Sequence, residues 1–404
     1  MNLPKMLSGQ ELATVLQIVP EYRPELCQEN AAVRLMALSD LYQVYIPSPM
    51  SMEIYSKIYL ALLRSMQKKC TLDTVRQRYE NHRAIQQQEC RGIIGGSDSF
   101  TIIGTSGIGK SSAISRAISL VSEHRIIQLD KPYSKVIPCL TVQCPFDSSV
   151  KGLLLEILRK VDEELDTTYS ISAQKARTTT DMLVGSVASV CLNHIGLLVV
   201  DEIQNVVTSK NGRNLIGALT QLINNSGISI CMVGTPECTT FFEQAMQMAR
   251  RSVGLQYTAL PYNDYFQAVC EVLWQYQYVQ QYSELTPAIV RWLYEHSAGV
   301  ISIVVSLLHD AQELAILDGT EELNMTTLGK AYQQRLSFLH GYIQPCITQG
   351  KQTSTAKKAD IIPYSEAIPD EEKSVAECVA WAKAKGLDVG VVLADYFTVE
   401  EIAI

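Results

Sequence analysis

The sequence predicts an α/β protein: a five-stranded parallel sheet covered on both faces, with a helical N-terminal extension and a small helical lid. Three observations carry this. Between residues 96 and 262, short continuous apolar runs alternate with helical stretches. Continuous runs, unlike alternating ones, suit parallel strands buried on both faces, and strand–helix–strand repetition builds a three-layer domain. On either side of that region the apolar residues return to helical spacing. Finally, 404 residues with 47% apolar and 19% charged content are enough for two to three domains with sizeable cores.

In chain order, residues 1–95 form the helical extension. In "SMEIYSKIYLALLRSMQKK" the stripe Ile54, Ile58, Leu62 and Met66 recurs every four residues. "VYIPSPMSM" carries two prolines and reads as a linker or arm before that helix, and "IIGGSDS" breaks the chain after it. Strands are expected at Phe100 to Gly104, Val136 to Cys144, Leu197 to Asp201, Ile228 to Val233 and Tyr257 to Leu260. Residues 263–340 supply the lid through "DYFQAVCEVLWQYQYV", "PAIVRWLYEHSAG" and "VISIVVSLLHDAQELAIL", with Gly299 as a cap between the last two. Residues 341–373 are a polar linker. Residues 374–404 regain apolar residues, including Trp381, and read as a partner-binding tail. No internal repeat is visible.

The net charge of -8 argues against a broadly basic nucleic-acid binder while leaving room for a local basic stripe. The N-terminal residues place charges and prolines where a signal peptide needs an apolar core. No apolar run reaches the ~18 residues of a membrane span. The 11 cysteines form no Cys-x-x-Cys pair, and the six histidines do not join them at zinc-ligand spacing. Core thiols in a reducing cytoplasm are expected, with no membrane association.

The chemistry concentrates in "FTIIGTSGIGKSSAISRAI". Gly104, Thr105, Ser106, Gly107, Ile108, Gly109, Lys110 and Ser111 fit G-x4-G-K-[ST] without a mismatch, with Ser112 following. Glycines at these positions let successive N–H groups turn toward a phosphate, and the helix beginning near Lys110 adds its positive end. Lys110 reaches the β and γ phosphates of ATP, and the Ser111 hydroxyl ligates Mg²⁺.

Such a loop needs carboxylates beside it. "LLVVDE" ends a strand with Asp201, which holds the Mg²⁺ shell, and Glu202, the general base for an attacking water. "SICMVG" leads to Thr235, which either orients the water beside the carboxylates or is an ordinary turn residue or helix cap. Arg250 and Arg251 end the next helical stretch. They either reach a neighbouring subunit's γ-phosphate or simply complement a helix C-terminus.

Together these features resemble a AAA+ ATPase. "FTIIGTSGIGKSSAISRAI", "LLVVDEIQNV" and "MVGTPE" are similar to the TnsC/TniB family of transposition regulators, across roughly residues 50–335. The resemblance implies ATP binding and a homo-oligomeric ring or filament around duplex DNA. It also implies a link between a target-selector protein and a transposase, with hydrolysis controlling disassembly. It places pore-lining DNA contacts between the two ATP motifs, where Lys151, Lys175, Arg177, Thr178 and Thr179 sit near helix starts. Cationic and short polar groups there suit phosphate contacts without base reading; a solvated face with a threonine cap is the alternative. One departure stands out. Ser302 occupies the place, shortly after Gly299, where many AAA+ lids carry an arginine. An initiator-like or signalling AAA+ ATPase without a transposase partner is the alternative function.

Overall fold

The computed structural model describes residues 3–69, 99–123, 126–129, 134–175, 179–239 and 253–337. All of them lie within one compact unit, residues 1–348. Arg250, Arg251, Arg177, Thr178, the side chain of Lys175, the 341–373 linker and the 374–404 tail fall outside the described residues.

Among the described residues the sheet has six strands, not five: β1 (Phe100–Gly104), β2 (Ile127–Leu129), β3 (Ser134–Gln143), β4 (Ile195–Asp201), β5 (Ser229–Gly234) and β6 (Val253–Tyr257), in the order β2-β3-β4-β5-β1-β6. Five are parallel; the additional strand, β2, pairs antiparallel with β3 at one edge. Three residues are too few to show a period of their own. The last strand lies earlier than its expected position at Tyr257 to Leu260. "VGLQY" interleaves glycine and glutamine with apolar residues because it is an edge strand. The central strands are buried along almost their whole length, as a doubly covered parallel sheet requires.

One face is covered by the helices Val150–Leu165, Thr180–His194 and Gly212–Ser226. The other is covered by Lys110–Val121, together with Gly9–Leu16 and Pro49–Lys69 from the N-terminal extension. Pro49 opens its helix at the position where a missing N–H costs nothing, and the Ser48 hydroxyl accepts from the Ser51 N–H at 3.2 Å. The stripe Ile54, Ile58, Leu62 and Met66 is fully buried against the sheet. Each such side chain contributes about 1.5–3 kcal/mol of gross burial.

The lid packs Asp264–Trp274, Pro287–Ser297, Ile301–Asp318 and Met325–Ala331 around a separate core. Ala37, Leu38 and Leu41 from the extension belong to that core as well. The extension therefore contributes to two cores and straps them together. Tyr22 and Tyr276 hydroxyls donate across this seam to Gln277 O and Pro20 O. The Arg34 guanidinium donates to both Glu321 carboxylate oxygens at 2.5 and 2.7 Å. Among the described residues no single helix is long and apolar enough to cross a membrane.

Candidate nucleotide site

The order β4-β5-β1 brings three strand ends together: Gly104 on β1, Asp201 on β4 and Gly234 on β5 between them. Ligands of open parallel sheets bind in the crevice beyond the carboxyl ends of the strands.

The turn after β1 is shaped by Gly107 (φ +80°) and Gly109 (φ +93°), conformations that side-chain-bearing residues rarely adopt. Gly109 then caps the Lys110–Val121 helix, whose first N–H groups face the crevice. Lys110 Nζ donates to Gly104 O at 2.6 Å and Thr105 O at 2.9 Å, so the ammonium curls back over the loop. Burial lowers its pKa, opposed by the charges of Asp201 and Glu202. A desolvated ammonium of this kind gains most when an anion arrives.

Ser111 Oγ donates to Asp201 Oδ2 at 3.2 Å. Two cis ligands of an octahedral Mg²⁺ with arms of about 2.05 Å lie about 2.9 Å apart. The pair fits that ion with little adjustment. Asp201 Oδ1 accepts from the Glu202 N–H at 2.8 Å, and Glu202 itself holds φ +56°, a left-handed backbone in a non-glycine residue at the strand exit. The Gln204 amide donates to the Glu202 carboxylate.

A pocket of about 250 Å³ unites Ser106, Gly107, Gly109, Lys110, Ser111 and Ser112 with Asp201, Glu202, Gln204, Thr235 and Ser302. Thr235 thus lies beside the carboxylates, while its hydroxyl donates to Glu237 at 3.3 Å and its carbonyl accepts from the Cys238 N–H. Ser302, at the start of the lid helix, approaches the loop closely: its N–H donates to Gly107 O at 3.3 Å. Ile108 does not face this pocket; it lines a larger chamber of about 640 Å³ that shares Gly107, Gly109, Ser112 and Ser302 with it. Tyr42, Ile46 and Met50 from the extension, Leu260 after β6 and Ile301 from the lid add apolar walls suited to a base and ribose. Sequence reasoning missed these residues. The only signal was "VYIPSPMSM", read as an arm, whose proline break places its side chains over the crevice.

Lys151 is exposed in the first turn of its helix. Thr179 caps the Thr180–His194 helix, its hydroxyl accepting from the Met182 N–H at 3.4 Å, so its side chain already serves the cap.

A glycine-shaped phosphate loop, an Asp-Glu pair at a neighbouring strand end, a parallel sheet and a helical lid define the class: this is a AAA+ P-loop ATPase. Within that class, residues 95–258 match the family model of the bacterial TniB protein. Among solved structures the chain is similar to the ORC1 protein of Aeropyrum pernix in complex with DNA, at 14% identity and a TM-score of 0.42, covering 65% of this chain and 64% of that one. It is also similar to a RuvB point mutant from Thermotoga maritima, at 9% identity and a TM-score of 0.34, covering 81% and 86%. The chain thus spans just under two thirds of the ORC1 chain. No curated protein matches it.

Proposed function

We propose that this chain is an ATP-dependent regulator of DNA transposition that assembles on duplex DNA in the cytoplasm and connects a target selector to a transposase. The observation that carries the reading is the TniB match across the same segment that builds the phosphate loop and the Asp-Glu pair.

Bound ATP with Mg²⁺ would supply a reactive phosphoanhydride. Lys110 and the Gly107–Gly109 turn hold its phosphates, and Ser111 and Asp201 hold the ion. Glu202 accepts a proton from the attacking water, and Thr235 orients it from the other side. The apolar chamber takes the base. Arg250 or Arg251 of one subunit reaches the γ-phosphate of the next, so that the nucleotide reports assembly and hydrolysis limits it. Lys151, Lys175, Arg177, Thr178 and Thr179 face the DNA. The domain plan is a helical extension to residue 95, an ATPase core to 262, a lid to 340, a linker to 373 and a partner-binding tail.

Imaging the protein with duplex DNA and a non-hydrolysable ATP analogue tests this. Rings or filaments enclosing DNA are expected; nucleotide-bound monomers that ignore DNA would overturn it. Glu202→Gln should keep assembly and slow hydrolysis by about 10²–10⁴-fold, the usual contribution of a general base.

A further inference from the structure

Phe146 is 85% exposed, the highest value among the exposed large hydrophobics. It does not sit on a loose tip. Its loop, between β3 and the Val150–Leu165 helix, is hydrogen-bonded at nearly every residue. Ser148 is fully buried with φ +51°, its N–H donates to Pro145 O at 2.9 Å, and its hydroxyl donates to Asn205 O at 3.1 Å. The Asp147 carboxylate accepts from the Ser149 N–H at 3.0 Å. A loop held by these bonds presents the aromatic ring to solvent in a defined place, where it is available to a partner.

Its surroundings say what. Asp147 O accepts from the Ser209 hydroxyl at 2.8 Å and from Asn211 Nδ2 at 3.3 Å, which docks the 209–213 turn beside Phe146. Lys210 lies between those two contacts and Arg213 just after them; Lys151 lies just beyond Ser149. All three cations are exposed, and none forms an ion pair among the described residues. In a chain of net charge -8, these three cations lie on the segments that meet at Phe146, against the single exposed carboxylate of Asp147, which leaves a local excess of positive charge. We propose that Phe146, Lys210 and Arg213, with Lys151, form the surface that grips the sugar-phosphate backbone of duplex DNA. The cations take phosphates, and the ring lies against the sugar wall between them. This is backbone gripping without base reading.

The surface bears directly on the catalytic turn. Cys144 N–H donates to Asp201 O at 2.8 Å, and Asn205 Nδ2 donates to Cys144 O at 2.9 Å. Asn205 N–H in turn donates to Glu202 O at 3.1 Å. From the other side, a Cβ on Gly212 would come within 1.9 Å of Val206 O, so the 209–213 turn rests on the same segment without slack. Asn205 is therefore a positioning residue: DNA pressing on Phe146 or Lys210 shifts the turn that carries Glu202.

The inference rests on the DNA-binding reading above. The test uses the full chain with a non-hydrolysable ATP analogue and a fluorescein-labelled duplex, by anisotropy across a salt series. The double variant Lys210→Ala with Arg213→Ala should weaken binding and flatten the salt dependence by about 1.8 units, roughly 0.9 per phosphate contact. Phe146→Ala should weaken binding several-fold and leave the slope unchanged, because the ring carries no charge. Asn205→Ala should bind DNA as the wild type does and, assayed for phosphate release with ATP in place of the analogue, should lose the change in ATPase rate that DNA brings. If the wild type ignores DNA, the proposed function fails together with this inference. If the wild type binds and all these variants match it, only the surface is wrong. If the variants lose DNA-free oligomers in sedimentation, the surface is a contact between copies and the inference is overturned.

Discussion

Gly107 shows how little freedom the phosphate loop has. A Cβ there would approach Ser302 Oγ to 2.3 Å, and φ +80° strains any side-chain-bearing residue by roughly 1–2 kcal/mol. The lid helix that begins at Ile301 is thereby seated on the loop through one glycine. Gly107→Ala should weaken binding of a fluorescent ATP analogue at least tenfold and leave the circular-dichroism spectrum unchanged. Unchanged affinity would mean that the lid does not hold the loop. That Gly104, Lys110, Asp201 and Glu202 would meet at one crevice was legible in the sequence, because the G-x4-G-K-S turn and the Asp-Glu pair each follow an apolar run that reads as a parallel strand. Gln204 was not: its amide meets the Glu202 carboxylate only because the chain turns back sharply at a left-handed residue.

At the scale of elements, the seam between the extension and the lid depends on a pair that is nearly out of solvent. Arg34 has a side chain 3% exposed against 15% for Glu321, and it also donates to Tyr278 O at 3.3 Å. The hydrogen bonds from Arg34 hold the Glu321 carboxyl below its ordinary range, more than offsetting burial, which acts the other way. A depressed acid stabilises the fold above its unfolded pKa of about 4.3, and that contribution is lost as pH falls through the lower folded value. Arg34→Met should cost about 2–4 kcal/mol at neutral pH, since it strands a half-buried carboxylate. It should also flatten the stability curve below about pH 4, as read by urea unfolding across pH; an equally steep acid limb in the variant would disprove the assignment. None of this was legible in the sequence. Arg34 and Glu321 are 287 positions apart, and neither carries a periodic or motif signal. By contrast β1, β3, β4 and β5 were legible, since doubly buried strands read as unbroken apolar runs. The three-residue β2 and the glycine-bearing edge strand β6 carry weaker patterns, so one was missed and the other displaced.

For the whole molecule, the larger apolar chamber exists only while three parts stay assembled: the extension, the glycine-rich loop with β6, and the lid. Nucleotide that binds only the assembled form stabilises it by about 2.7 kcal/mol at 100 times Kd. The converse gives a prediction. Leu38 is fully buried in the lid core, contributed by the extension, and lines neither pocket. Leu38→Ala should cost about 2–5 kcal/mol as a core truncation and, by loosening the strap, should raise Kd for ATP. Leu158→Ala, fully buried between the sheet and the Val150–Leu165 helix, is the matched control. It should lose comparable stability while Kd stays within twofold. The measurements are nucleotide titration by fluorescence at a temperature where both variants remain folded, and thermal melting with and without ATP. If both variants shift Kd equally, affinity follows global stability, and the extension is scaffolding. If only Leu38→Ala shifts it, the extension is a third wall of the nucleotide site, through which a partner bound to the N-terminal residues can tune ATP affinity without touching the phosphate loop.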